Sequence, residues 1–296
     1  MKLRIFIVIV AVVVAWVAGR SIKSGGHSIV RSVQHEIQHD AHEDNAPPPP
    51  NAPGAPDVNP ANGASERRIN QSYELADGAS VDVHGINGPV TVEAIDGNTA
   101  EVQITSTAAN AADLKDARVT IEHTKTSLVV RGKGNNGSSF WRWLQGGGSS
   151  GEVRHNVLLR LPRNVELATR GTNGRVQIAE MEGSVEVSGV NGQVEIGGAR
   201  SFAEVSGVNG GVVVTVTELG DKGLRVNGIN GGVEIRLGRD VNADVELNGV
   251  NGHMKVEAPN VEVKEQKRDR LRARIGTGGA DIEANGINGG VRLVGV

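Results

Sequence analysis

From Ser80 onward apolar and polar residues alternate in short runs, and the same run recurs. Around Gly189, Val185, Val187, Val190, Val194 and Ile196 are apolar, with Ser184, Glu186, Ser188, Gln193 and Glu195 between them. A period of two sends successive side chains to opposite faces, so each flank predicts a strand with one buried face and one wet face. Around Gly228 the phase returns in Leu224, Val226, Ile229, Val233 and Ile235. Between the flanks stands Gly-[Ile/Val/Thr]-Asn-Gly, with its asparagine at Asn87, Asn173, Asn191, Asn209, Asn230, Asn251 and Asn288. The first glycines are 86, 18, 18, 21, 21 and 37 residues apart. The motif keeps its length while the connectors vary, which places insertions in surface turns. The long gaps hold more of the same: strand-like stretches at residues 100–107, 118–123, 127–131 and 157–161, and a degenerate copy at Gly276–Gly279 behind Leu271, Ala273 and Ile275.

The fold class is all-β, in one of two architectures. Asn-Gly between alternating apolar runs is a strong hairpin signal and would give an antiparallel β meander. A unit of 18 to 21 residues repeated in phase suits a parallel β-helix-like β-solenoid, whose rungs stack on one another. The solenoid is favoured by the Ile or Val between Gly and Asn, which reads as a buried corner. Its aliphatic positions can stack at the strand spacing, and the repeated asparagine can form a side-chain amide ladder at corners that the glycines allow.

The N-terminal part reads differently. Met1-Lys2-Leu3-Arg4 precedes an unbroken apolar run from Ile5 to Ala18, so residues 1–19 predict a secretory signal peptide or an N-terminal membrane anchor. Residues 20–64 form a polar linker carrying Pro47-Pro48-Pro49-Pro50, a composition for extended spacers. The repeat domain then covers 65–296, interrupted by a Gly/Ser/aromatic loop at 132–151. The chain is expected to be exported to the periplasm or cell surface, and to be held at the inner membrane if the segment is uncleaved.

Composition narrows the chemistry. Among 296 residues there are 41 glycines and no cysteine, which removes disulfides, thiolate nucleophiles and thiolate metal sites. Only three Phe, three Trp and one Tyr are present, so the core must be aliphatic. A net charge of -3 gives no global attraction for nucleic acid, and none is expected as a partner.

The Gly-Ile-Asn-Gly and Gly-Val-Asn-Gly units, behind an export signal and a proline-rich linker, resemble the bacterial "putative adhesin" family of β-strand-repeat domains of unknown function, akin to the head "GIN" adhesin domains. The resemblance covers about residues 72–296. It implies a right-handed parallel β-helix-like fold in the cell envelope and a non-enzymatic adhesin, binding or structural module. The alternative it implies is an extracytoplasmic sensor of envelope stress acting through a membrane partner. It supplies no catalytic residues and no cofactor, and it makes the asparagines architecture.

Two segments are candidate partner contacts for an unknown surface ligand, whether glycan, envelope polymer or protein. Phe140, Trp141, Arg142 and Trp143 lie in the Gly/Ser loop, where aromatics bring large apolar area at low entropic cost; the same segment could instead cap the stack. Residues 264–274 hold six basic and two acidic residues, with Lys267, Arg268 and Arg270 foremost, a patch suited to anionic polymers or to guarding an edge strand. Other motif matches lack their context. His35-Glu36-Ile37-Gln38-His39, near His42, has no surrounding domain to build a zinc site. The glycine patterns at 132–137 and 147–151 open no helix that could hold a phosphate or expose a nucleophile. Asp281 and Glu283 beside Gly278-Gly279 are one copy of a calcium-repeat-like pattern, too few to bind. No metal or cofactor site is expected.

Overall fold

The computed structural model describes residues 65–116, 118–133, 153–198 and 200–296. The chain begins with β1 (Ser65–Glu74), β2 (Ser80–His84), β3 (Val90–Ile95) and β4 (Thr99–Ala108), then α1 (Ala111–Asp116). Next come β5 (Arg118–Thr124), β6 (Ser127–Lys133) and β7 (Arg154–Pro162). The central repeats give β8 (Glu166–Arg170), β9 (Val176–Ile178), β10 (Val185–Val190), β11 (Val194–Ile196), β12 (Ala203–Val208) and β13 (Val212–Val216). They continue as β14 (Leu224–Ile229), β15 (Val233–Leu237), β16 (Ala243–Val250) and β17 (Met254–Glu257). The last elements are β18 (Val261–Gln266), β19 (Arg270–Ile275), β20 (Ala280–Ile287) and β21 (Val291–Gly295).

These strands form two mixed sheets, neither closed into a barrel. The first runs β1-β4-β7-β3-β9-β11-β13-β15-β21-β17, and the second β18-β19-β16-β20-β14-β12-β10-β8-β2-β6-β5. The two strands flanking an Asn-Gly step lie in different sheets. β10 pairs in parallel with β8 and β12, while β11 pairs in parallel with β9 and β13. Equivalent residues of successive repeats therefore fall opposite one another, as in Val185↔Ala203 and Val187↔Val205.

The alternating pattern puts five side chains of a repeat between the sheets, nearly all of them aliphatic. In one copy Val185, Val187, Val190, Val194 and Ile196 are 0–1% exposed, and Val190 is the residue inside the corner. Burying one such side chain is worth about 1.5–3 kcal/mol. That gain exists only with neighbours on both sides, so a single repeat cannot fold alone. The two glycines of a corner serve different ends. Gly189 holds φ at +63°, and a Cβ on Gly192 would sit 2.3 Å from the Gly174 carbonyl oxygen of the adjacent rung.

Spatial order departs from sequence order at both ends. β2 and β3 lie inside β6 and β7, and β20 and β21 lie between β14/β15 and β16/β17. The segment expected as a degenerate copy near Gly276 is not a parallel rung: β19 runs antiparallel between β16 and β18. Its alternation signalled burial of Leu271, Ala273 and Ile275 correctly, but period two carries no strand direction. Gly132 and Lys133, expected at the start of the Gly/Ser/aromatic loop, belong to β6, and the rest of that segment up to residue 151 lies outside the described residues. Helix α1 has no apolar periodicity long enough to announce it. It is capped by Asn110, whose Oδ1 accepts from the Asp113 N–H at 3.0 Å, and it buries Leu114.

Candidate functional site

Parallel, in-register stacking brings the seven motif asparagines into one file. Each Nδ2 donates to the Oδ1 of the next residue in the order Asn251, Asn288, Asn230, Asn209, Asn191, Asn173, Asn87, over 2.9–3.2 Å. At the far end the Nδ2 of Asn87 donates to the Val153 carbonyl at 2.9 Å. The ladder thus has a direction, with donors pointing toward Val153 and the acceptor of Asn251 looking out of the stack. A shorter row of the same kind links Asn248 to Asn285 at 3.4 Å and Asn285 to Asn227 at 3.2 Å. Its signal is the longer string Asn-Gly-[Ile/Val]-Asn-Gly, present in three copies.

The open end of the long ladder borders a cleft of about 740 Å³. Asn251, Gly252 and His253 line one side, and Gln266, Arg268 and Asp269 from the β18–β19 turn line the other. The turn is docked there by the Val250 N–H, which donates to the Asp269 carbonyl at 3.2 Å. Sequence reasoning singled out the basic residues of this turn but not the corner that faces them, because only the intercalated rung order leaves Asn251 outermost.

The basic segment divides into paired and unpaired cations. Arg274 lies 2.9 Å from Asp244, and Arg272 lies 2.9 Å from Glu246. Lys267 pairs with Glu265, while Lys264 stands 3.9 Å from Asp244. The hydrogen bond from Arg274 holds the Asp244 carboxyl below its usual range, and Asn248 first, then Arg272, does the same for Glu246. Arg268 and Arg270 have no ion pair among the described residues, and both are exposed. Phe140, Trp141, Arg142 and Trp143 lie outside the described residues, as does the His35–His39 segment.

Beside the cleft, on the outer face of the first sheet, is a shallow hollow of about 420 Å³. Gly211, Gly232 and Gly290 lie in it, with His253 shared between hollow and cleft. Side chains occur at the same register in other repeats, as Arg175 and Gln193.

The opposite end of the ladder is built around a buried polar pair. Gly132 of β6 stands opposite Gly85, and His155 of β7 stands against Gly88. His155 is 3% exposed, and its Nδ1 is 2.8 Å from the Ser106 hydroxyl. Burial, and secondarily the charge of Arg67, holds its pKa below the ordinary histidine value. Arg67 itself donates to the Leu114 carbonyl of α1.

The chain is an all-β repeat protein whose rungs are aligned by side-chain amides. No protein-family model matches it, and no curated protein does. Among solved structures it is similar to a "putative cell adhesion protein" from Clostridium sporogenes, at 13% identity and a TM-score of 0.37, over 77% of this chain and 100% of that one. It is similar also to a "putative adhesin" from Bacteroides fragilis, at 9% identity and a TM-score of 0.32, over 77% of this chain and 97% of that one. A "putative adhesin" from Parabacteroides merdae is similar at 13% identity and a TM-score of 0.26, over 77% and 96%. Solved structures similar to the chain thus include the class that its repeats resemble.

Proposed function

We propose that this chain is a non-enzymatic, adhesin-like binding module of the bacterial envelope, built as a β-solenoid. Residues 1–19 would export or anchor it, residues 20–64 would hold it off the membrane, and the rungs would present a rigid surface to an envelope polymer. The solenoid reading is supported by the parallel register of successive repeats and by the placement of each motif's two strands in different sheets. Rigidity matters because a preorganised surface loses little conformational entropy when it binds.

The observation that carries the binding role is the cleft at the ladder's open end, where Arg268, with no counter-ion among the described residues, lies beside the exposed Asn251 amide. An amide, a histidine and an unpaired guanidinium suit a carboxylate- or phosphate-bearing polysaccharide, which offers hydroxyls to the amide and an anion to the arginine. The test is binding of the full chain to immobilised polyuronate and to neutral dextran across a salt series. Polyuronate should bind, with affinity falling as salt rises. Arg268→Ala with Arg270→Ala should abolish that binding at unchanged melting temperature, while the ion-paired Arg272→Ala should not. Equal retention on neutral dextran, or full retention by the double variant, would refute the cleft as the contact. Sequencing the mature N-terminus by mass spectrometry, with protease accessibility on intact cells, tests export: full protection of residues 65–296 outside spheroplasts would count against surface display.

A further inference from the structure

We infer that Asn251-Gly252 is a site of spontaneous deamidation, and that the amide ladder makes the conversion directional, beginning at its open end. Asparagine is among the thermolabile residues, and glycine hinders the reaction least because it has no Cβ. The Gly252 nitrogen, losing its proton to solvent, bonds to the Asn251 side-chain carbonyl carbon. The side-chain nitrogen leaves as ammonia, and a five-membered succinimide remains. Water then opens the ring at either carbonyl to give aspartate or isoaspartate. The net change is an amide and water converted to a carboxylic acid and ammonia, with no oxidation.

Inside the ladder both partners of that reaction are held. At Asn191 the Nδ2 donates to Asn173 at 3.0 Å and the Oδ1 accepts from Asn209 at 3.1 Å. The Gly192 N–H, which would be the nucleophile, donates to the Asn209 carbonyl at 3.1 Å. Asn209 is pinned in the same way by Asn191 and Asn230, and the Gly210 N–H donates to the Asn230 carbonyl at 3.1 Å. In each case the glycine N–H reaches toward the neighbour on the Asn251 side. Among the described residues no further rung lies beyond Asn251. One bond, from its Nδ2 to Asn288 at 3.2 Å, restrains the side chain. Its Oδ1 and the Gly252 N–H have no hydrogen-bond partner among the described residues, and both residues line a cleft that water can enter. The other end is closed, since Asn87 donates to Val153 and accepts from Asn173. Conversion places a carboxylate in the cleft with Arg268 and removes the donor that Asn251 gave to Asn288, so the exposed end moves one rung inward.

The experiment is incubation of the full-length chain at mildly alkaline pH, followed by peptide mapping for the mass gain of about one dalton and for isoaspartate at every asparagine. Asn251 should convert at least about tenfold faster than Asn191 or Asn209, since one hydrogen bond of about 1.4 kcal/mol already sustains that ratio and the interior sites hold two that Asn251 lacks. A synthetic peptide spanning Gly249–Met254, which lacks the bond to Asn288, should convert faster than Asn251 in the protein. Equal rates at Asn251 and Asn191 overturn the inference, and so does an Asn251 as slow as the interior sites while the peptide converts. In Asn251→Asp, Asn288 should accelerate and Asn209 should not. An unchanged Asn288 overturns the directionality.

Discussion

The side chain of Asn288 donates to Asn230 at 2.9 Å across 58 residues of sequence. Asn251, which follows Asn230 by only 21 residues, has no bond to it and reaches Asn288 instead. The C-terminal rung is therefore an interior one, paired on both sides through β14 and β16 and through β15 and β17.

Truncation after Gly279 tests that placement. In a stack that followed sequence order, the loss would shave off a terminal rung and leave the rest folded. Here it opens a gap between β14/β15 and β16/β17, uncovering buried residues such as Leu224, Val226, Val245 and Leu247 on both sides. The expected result is loss of a cooperative thermal transition by circular dichroism. A truncated chain melting within a few degrees of the full one would contradict the intercalated order.

How far the sequence revealed this can be read residue by residue. The alternation around Gly189 and Gly228 marked the strands and the buried set, because one-sided burial requires period two. The apolar residue inside the corner marked itself as core, and Ile86, Val190, Val208 and Ile229 are each 1% exposed. Rung order was not legible. Neighbouring repeats carry interchangeable aliphatics, so Leu224 accepts Ile282 opposite it with no local cue against Val245. The candidate contacts Lys267 and Arg268 were visible as charge, but their cleft depends on that order. The pair Ser106 and His155 was invisible, being 49 residues apart and joined only by tertiary packing.

Thr169 and Thr172 occupy positions that the other repeats fill with aliphatic residues. Both are 0–1% exposed, and their hydroxyls have no hydrogen-bond partner among the described residues. A buried hydroxyl without a partner keeps its desolvation cost and gains nothing in return. Thr169→Val and Thr172→Val preserve shape and remove that group, so each should stabilise by about 1 kcal/mol in urea denaturation. Destabilisation by either would mean that the hydroxyl is satisfied in solution.

Acid should weaken the end of the stack that holds His155. Its pKa in the folded state lies below the ordinary value of 6.5, so the unfolded chain binds more protons between the two values. Its contribution to stability is complete above pH 6.5 and declines as pH falls from there toward the folded value. Arg67 adds repulsion to any charge formed, and Ser106 holds the ring in place. Melting temperature should therefore fall on acidification through this window. In His155→Leu with Ser106→Ala, which removes both halves of the hydrogen bond, the fall should be smaller. An identical pH dependence in the double variant would assign the effect to other groups.

Gly231 and Gly232 are adjacent and should respond oppositely to alanine. A Cβ on Gly231 would lie 2.2 Å from the Gly210 carbonyl oxygen, a backbone atom fixed by the neighbouring rung. Relief requires the rungs to separate, and overpacking of this kind costs about 1–3 kcal/mol. At Gly232 the nearest atom is the Gly290 carbonyl oxygen at 3.9 Å, and φ is not in the left-handed region. Glycine there is no requirement of the fold, as Arg175 and Gln193 at the same register attest. Gly232→Ala should leave stability unchanged or raise it by about 0.4–1 kcal/mol through the unfolded chain, while Gly231→Ala loses ground in the same urea titration. Equal losses at both positions would mean that the rungs approach each other at Gly232 as closely as they do at Gly231.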